Sequence, residues 1–340
     1  MPLVDTALAA SVASRLAPRG PQLSLTEAAD VVTMLRDLTE QAEQHVRDVT
    51  GLHGVVGPAT VVDRPGWAAA NAEGFAVVLA PLEEAFVAKQ GRVAATATAK
   101  VTALQMGALL AWLSGKVLGQ YEAFQPEGQQ GRLLLNAPTI VETERRLGVD
   151  PHDFRLWVAL HEVTHRTQFT AVPWLHAHVR SEVGALLEAT KLDDPEALLA
   201  RVKGLRDLPR TSIVEAFQTP EQKVVMDRVT AFMSLLEGHA EHVMDGVGPA
   251  VVPTVEHIRA RFEAKRRDRG GPFERFVRRL LGLDLKAKQY AEGSRFVAAA
   301  VAAVGMDGFN RVWESAETLP TLVELRDPPA WVARVPGRAA

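Results

Sequence analysis

The sequence contains no cysteine. Disulfides and thiolate metal ligands are therefore excluded, and any bound metal must be held by imidazoles and carboxylates. The same absence fits a reducing cytoplasm, the expected location. Long uncharged apolar runs are lacking as well. The most apolar stretch, Val101 to Gly115, is bounded by Lys100 and Lys116 and contains Gln105. It falls short of the roughly 20 residues that span a bilayer, so a core helix is expected there, and no membrane partner. Strong charge of either sign is missing too. A formal charge of -3 over 340 residues offers no general attraction to nucleic acid. The N-terminus, with Asp5 and no basic region before an apolar run, reads as a poor signal peptide.

What is present reads mainly as helix, with a small β component. SLTEAADVVTMLRDLTEQAEQHV opens with Ser24 and Glu27 in capping-box spacing and continues with apolar residues at helical intervals. DRPGWAAANAEGFAVVLAPLEEAFVAKQ predicts a helix or pair of helices broken near Pro81, and Val93 to Tyr121 predicts another long helix. The clearest strand is Leu133 to Leu135, before an Asn-Ala-Pro turn; Gly54 to Val62 is a weaker one. Asp150-Pro151 starts a new helix, with Asp as N-cap and Pro at the first helical position. Thr219-Pro220-Glu221 starts another, running to about Met244. The Pro-rich C-terminal stretch from Glu317 is expected to wrap irregularly over the surface. Two lobes are expected within one compact unit: a helical lobe over 1–135, and a second lobe over 136–340 that carries the site.

The chemistry concentrates in WVALHEVTHRTQF, Trp157 to Phe169. On a helix with 3.6 residues per turn, His161 and His165 project from one face, one above the other. Two imidazoles so placed can bind one zinc ion at about 2.0–2.1 Å each. Glu162 lies one residue round, where a carboxylate can accept a proton from metal-activated water without ligating the ion. Two buried histidines without a metal would each need a hydrogen-bond partner inside an apolar helix.

The third ligand must come from elsewhere, because Pro173 is expected to end this helix before His176. The segment LLEGHAEHVMDG, Leu235 to Gly246, resembles the motif in which gluzincin peptidases supply an acidic third ligand, followed by Gly, any residue, and Ala. That resemblance implies Glu237 as the ligand. Glu241 shares its helical face and is the alternative, as a ligand or as the partner that orients a ligating histidine. His239, His242, Tyr290 and Arg295 are the candidates to stabilise an oxyanion. Trp157 and Phe169, one turn either side of the histidine pair, are expected as core or pocket wall.

More of the chain carries a likeness. VVDRPGWAAANAEGF, VLGQYEAF, LLLNAPTI, WVALHEVTHRTQF, LLEGHAEHVMD, LKAKQYAEGSRFV and GMDGFNRVWESAETLP resemble an actinobacterial family of zincin-like proteins. Its members are assigned as zinc-dependent metalloproteases or hydrolases, some associated with deazaflavin-cofactor biosynthesis. The resemblance implies a mostly helical zincin-like fold with a metallopeptidase site that holds Zn²⁺ and cleaves a peptide or small amide. Two rivals remain at this point: a catalytically silent zincin-like scaffold, and a di-iron carboxylate protein, for which no second ExxH is apparent.

Two further features have plain readings. His176 and His178, two apart on a helix, do not share a face and do not suggest a metal site. The run Arg259 to Arg279 holds nine basic residues, but Glu263, Asp268 and Glu274 interrupt it and Phe262, Phe273 and Phe276 give it a buried side. A solvated amphipathic helix pair separated at Gly270-Gly271 is therefore expected, and not a nucleic-acid surface.

Overall fold

The computed structural model describes residues 4–90, 92–125, 131–189, 220–267 and 283–335, with backbone alone at 79, 81–90, 92–98, 187–189, 263, 265–267 and 283–291. Contacts divide the chain into two compact units, 1–173 with 238–288, and 174–237 with 289–340. The boundary expected near 135/136 falls inside the first unit. There the strand Arg132–Asn136 runs across that position and pairs with Thr60–Val62 and Gly119–Glu122, both earlier in the chain.

The first unit begins with α1 (Thr6–Leu16), whose Asp5 cap accepts from the Leu8 amide at 2.9 Å. Helix α2 (Leu25–Thr50) carries the expected capping box, with Ser24 and Glu27 each bonding the other's backbone N–H. It stops at Gly51, whose φ of 66° is a left-handed conformation that glycine adopts without steric cost. Strand β1 (Thr60–Val62) follows, then α3 (Arg64–Gln90), α4 (Arg92–Ser114), β2 (Gly119–Glu122) and β3 (Arg132–Asn136).

Three sequence expectations change here. Helix α3 runs through Pro81 without ending. Tyr121 lies in β2, because the helix preceding it stops at Ser114. Of the weaker strand candidate only Thr60–Val62 pairs, and Asn136-Ala137-Pro138 starts helix α5 (Ala137–Leu147) with Pro near its first position.

The sheet has the order β1-β3-β2, with β1 parallel and β2 antiparallel to β3. Its middle strand is covered on both faces, which explains three consecutive leucines where alternation would otherwise be expected. Leu133 and Leu135 join the core built with α2 and the helix α6 (Pro151–Ala171), while Leu134 faces the opposite way, into the core of α1, α3 and α4. Asn136 closes the far end by donating to the Ser114 and Val117 carbonyls at 2.7 and 3.1 Å.

Helix α6 starts as the sequence predicts, with the Asp150 carboxylate accepting from the Asp153 amide at 3.0 Å, and it ends at Ala171, two residues before Pro173. Phe154, Leu156, Val158, Ala159, Leu160 and Val163 are all buried, so the helix is apolar on more than one face. Its buried polar side chains are answered from neighbouring elements. Arg155 forms a two-pronged pair with Glu144 of α5, at 3.0 and 2.6 Å, and Arg166 bonds Glu43 and the Gly57 carbonyl. The Asp153 carboxylate accepts from the amide and hydroxyl of Thr254, each at 2.8 Å, which draws in the turn before helix α9 (Val255–Arg267).

The basic run therefore begins on α9. There Phe262 stacks on Phe154 and Trp157, Arg259 pairs with Asp245, and Arg261 donates to the Leu147 carbonyl at 2.6 Å. The second helix expected beyond Gly270-Gly271 lies outside the described residues.

The second unit includes α7 (Leu175–Ala189), the first part of α8 (Pro220–Val247) and the later part of α10 (Leu283–Phe309), which bends at Gly305, where φ is 72°. Gly293 of α10 crosses α8 where any Cβ would overlap the Ser234 carbonyl. The His178 ring lies edge-on between Trp174 and Phe232, with centroids 5.6 Å away in each case, as a packed helical side chain. The C-terminal stretch is more ordered than its prolines suggest. Helices α11 (Leu322–Arg326) and α12 (Pro328–Arg334) are anchored by Trp331, fully buried against Phe296 and Phe309, with its Nε1 donating to the Thr318 carbonyl at 2.8 Å. Among the described residues, no helix is long and apolar enough to cross a membrane.

Removing one partner of the Arg155–Glu144 pair leaves a charge buried in the α5–α6 contact. Arg155→Ala is expected to destabilise the protein by about 3 kcal/mol, and Arg155→Met combined with Glu144→Leu to recover most of that loss. Thermal melting of the three proteins checks it.

Candidate metal centre

Helix α6 presents His161 and His165 one turn apart, with ring centroids 4.6 Å apart, planes at 87° and Nε2 atoms 3.2 Å apart. Two nitrogens bound tetrahedrally at 2.0–2.1 Å to one ion are held about 3.3 Å from each other. The spacing of the pair therefore suits a shared cation.

Glu237 belongs to α8, which is unbroken from Pro220 to Val247. One ligand-capable atom from each of His161, His165 and Glu237 lie within 4.8 Å of one another. Glu237 directly precedes Gly238 on this continuous helix. Glu241, the alternative, is not part of that group. A donor set of two imidazoles and one carboxylate is the kind that holds zinc while leaving a fourth position for water or substrate.

One other group among the described residues has metal-like proximity, Asp150, His152 and Asp153. Its carboxylates are already employed, Asp150 in capping α6 and Asp153 in holding Thr254.

Glu162 is buried, with 6% of its surface exposed, and strand β2 lies directly against it. A Cβ placed on Gly119 would meet Glu162 Cγ at 2.6 Å and Cδ at 2.8 Å. Only a residue without a side chain lets the strand come this close. Gly119 stands in VLGQYEAF, and nothing in its sequence neighbourhood marks it as adjacent to the HExxH glutamate. The contact joins positions far apart in the chain.

The second residue that sequence reasoning passes over is Gln168. Its Oε1 lies 2.9 Å from His165 Nδ1, and its Nε2 lies 3.0 Å from His239 Nδ1. Its place one turn beyond His165 was available from helical spacing alone. His239, considered above for oxyanion stabilisation, is fully buried behind α6, and burial drives its pKa down to about 3, which keeps the ring neutral at pH 7.

His242 is half-buried, and burial lowers its pKa from the ordinary histidine value. Arg295 is exposed, and the side chain of Tyr290 lies outside the described residues. Trp157 stacks between Phe154 and Phe262, so it belongs to the core, whereas Phe169 lies partly buried beside Tyr121 with ring centroids 5.8 Å apart. Burial also raises the pKa of the Tyr121 hydroxyl.

Residues 4–332 match the family model described as zincin-like metallopeptidase. The chain belongs to the zincin-like metallopeptidase family. Within this family frame, the mainly helical architecture with its small sheet is the one expected. A crystal structure from Chloroflexus aurantiacus, described as a "putative hydrolase with a novel fold", is similar over 99% of this chain and 100% of that one, with 30% sequence identity and a TM-score of 0.71. No curated protein matches the sequence significantly.

Gly119→Ala is expected to push the Glu162 carboxylate aside while leaving both histidines in place. Displacement of a reacting group by about 1 Å costs on the order of 10²-fold in rate. Hydrolytic turnover should fall by that order, with bound metal per chain unchanged by elemental analysis.

Proposed function

We propose that the protein is a zinc-dependent hydrolase that cleaves a peptide or related amide bond, with His161, His165 and Glu237 holding the metal. The observation that carries this reading is the convergence of those three side chains, two from one turn of α6 and the third from α8, with Glu162 beside the first. Family membership and the hydrolase description of the Chloroflexus protein support it.

Zinc, when bound, supplies Lewis acidity, which makes water more acidic and a carbonyl more electrophilic. Glu162 is then the general base. Its carboxylate takes the proton that water loses as the new C–O bond forms, and returns it to the amine nitrogen as the C–N bond breaks. Burial beneath β2 suits this role, because a carboxylate withdrawn from bulk solvent and held by packing keeps a fixed aim at the reacting atoms. Burial favours the neutral ring of His242, which carries one N–H; it and Tyr290 are the residues proposed to donate to the oxyanion. A cation site that served only to brace the helices would have no use for a buried base next to it.

Two substitutions separate binding from chemistry. Glu162→Gln is expected to keep one zinc per chain and to lose about 10²–10⁴-fold in kcat on a hydrolysed peptide. Glu237→Ala is expected to weaken zinc binding, whereas Glu241→Ala leaves it unchanged. Metal content by elemental analysis, read beside peptide cleavage by mass spectrometry, tests the assignment. A Glu162→Gln enzyme of undiminished rate would refute it.

A further inference from the structure

We propose that Gln168 and His239 form a hydrogen-bond relay that sets the tautomer and aim of His165 toward the metal. The inference rests on the metal reading given above.

A histidine that offers Nε2 to a cation must carry its proton on Nδ1, and that N–H needs an acceptor. Gln168 Oε1 lies 2.9 Å from His165 Nδ1 and fills this need. An amide can present either oxygen or nitrogen, so something must fix which way it points. In the proposed relay His239 does so: its Nδ1 is 3.0 Å from Gln168 Nε2, and since an amide NH₂ only donates, that nitrogen accepts while the ring carries its proton on Nε2. Were the amide reversed, its NH₂ would face His165 Nδ1 and favour the tautomer with the proton on Nε2, where the cation belongs.

Neither end of the relay can escape to water, because Gln168 and His239 are both fully buried.

Two consequences follow from an amide in this place. Zinc-bound histidines are often backed by a carboxylate, which adds negative charge behind the ring. Gln168 orients the ring without adding charge, so the charge of the donor set is that of Glu237 alone. The relay also spans α6 and α8, the two helices that supply the three donors, and meets α8 two residues beyond Glu237. It therefore ties α8 to α6 at His239.

The test compares wild type with Gln168→Met, which keeps the volume but removes the acceptor, and Gln168→Glu, which keeps an oxygen for His165. Zinc affinity is measured by competition with a chromogenic chelator, and apo-protein melting is recorded for each. The expected result is a 10–100-fold loss of affinity in Gln168→Met and affinity within a few-fold of wild type in Gln168→Glu. Long-range ¹H–¹⁵N correlation spectra of the zinc-free wild type should show His165 protonated on Nδ1, a readout that needs no metal and that a purely packing role would not dictate. Wild-type affinity in Gln168→Met, equal losses in both variants, or an Nε2-protonated His165 overturns the relay. Failure of the wild-type protein to bind zinc at all overturns the metal reading instead, so the two are told apart.

Discussion

Burial of helix α6 on more than one face is the constraint from which the rest of the molecule follows. A helix exposed on one side can leave its polar residues to water, but α6 has little such side. Each charge or amide it carries must find its partner inside the protein, since an unpaired buried polar group costs about 1–3 kcal/mol, and more when charged. Arg155 finds Glu144, Arg166 finds Glu43, Asp153 finds Thr254, and Gln168 finds His165 and His239. These pairings recruit α5, α2, the turn before α9, and α8. The neighbours of α6 are thus specified by its polar residues as much as by its apolar ones, and the rotation of the helix about its axis is fixed from several directions. Fixed rotation is what a pair of imidazoles needs, because a small turn of the helix would separate their nitrogens.

The small sheet serves the same end from the other side. Its middle strand is buried on both faces and ties the α2–α6 core to the α1–α3–α4 core through alternate leucines. With β3 anchored in this way, β2 is held against α6 at a set height. The side-chain-free residue at 119 then lets backbone reach the carboxylate of Glu162. Residues remote from the histidine pair therefore govern the surroundings of the residue that stands between them.

Local signals were readable in the sequence, and long-range ones were not. The Ser24–Glu27 box, the Asp150-Pro151 start and the i, i+4 histidine pair each rest on spacing within one or two turns, where helix geometry leaves little choice. The acidic partner on α8 was reachable only through likeness to a motif, because no local rule brings Glu237 toward α6. Tyr121 was read as helix because the composition of α4 runs on past Ser114, while the pairing that makes it a strand is with Leu133, across a loop. Pro81 was read as a break although α3 continues through it. The C-terminal prolines were read as irregular, but two of them sit at the first positions of a short helix whose tryptophan is buried. Gly119 and Gln168 carried no mark of their own. The importance of each lies in what it touches.

The Gln168–His239 contact joins parts of the chain that lie far apart in sequence and are linked by a long intervening segment. In the unfolded polymer that loop must close before the donors can meet, at an entropic cost that grows only slowly with its length. Under the proposed metal reading, chelation that needs both helices rewards only the folded form, and mass action would make stability rise with the logarithm of free ion once the ion exceeds its dissociation constant. The lifetime of the protein would then be tied to trace-element supply, so that scarcity would thin the population of molecules and not merely the activity of each one.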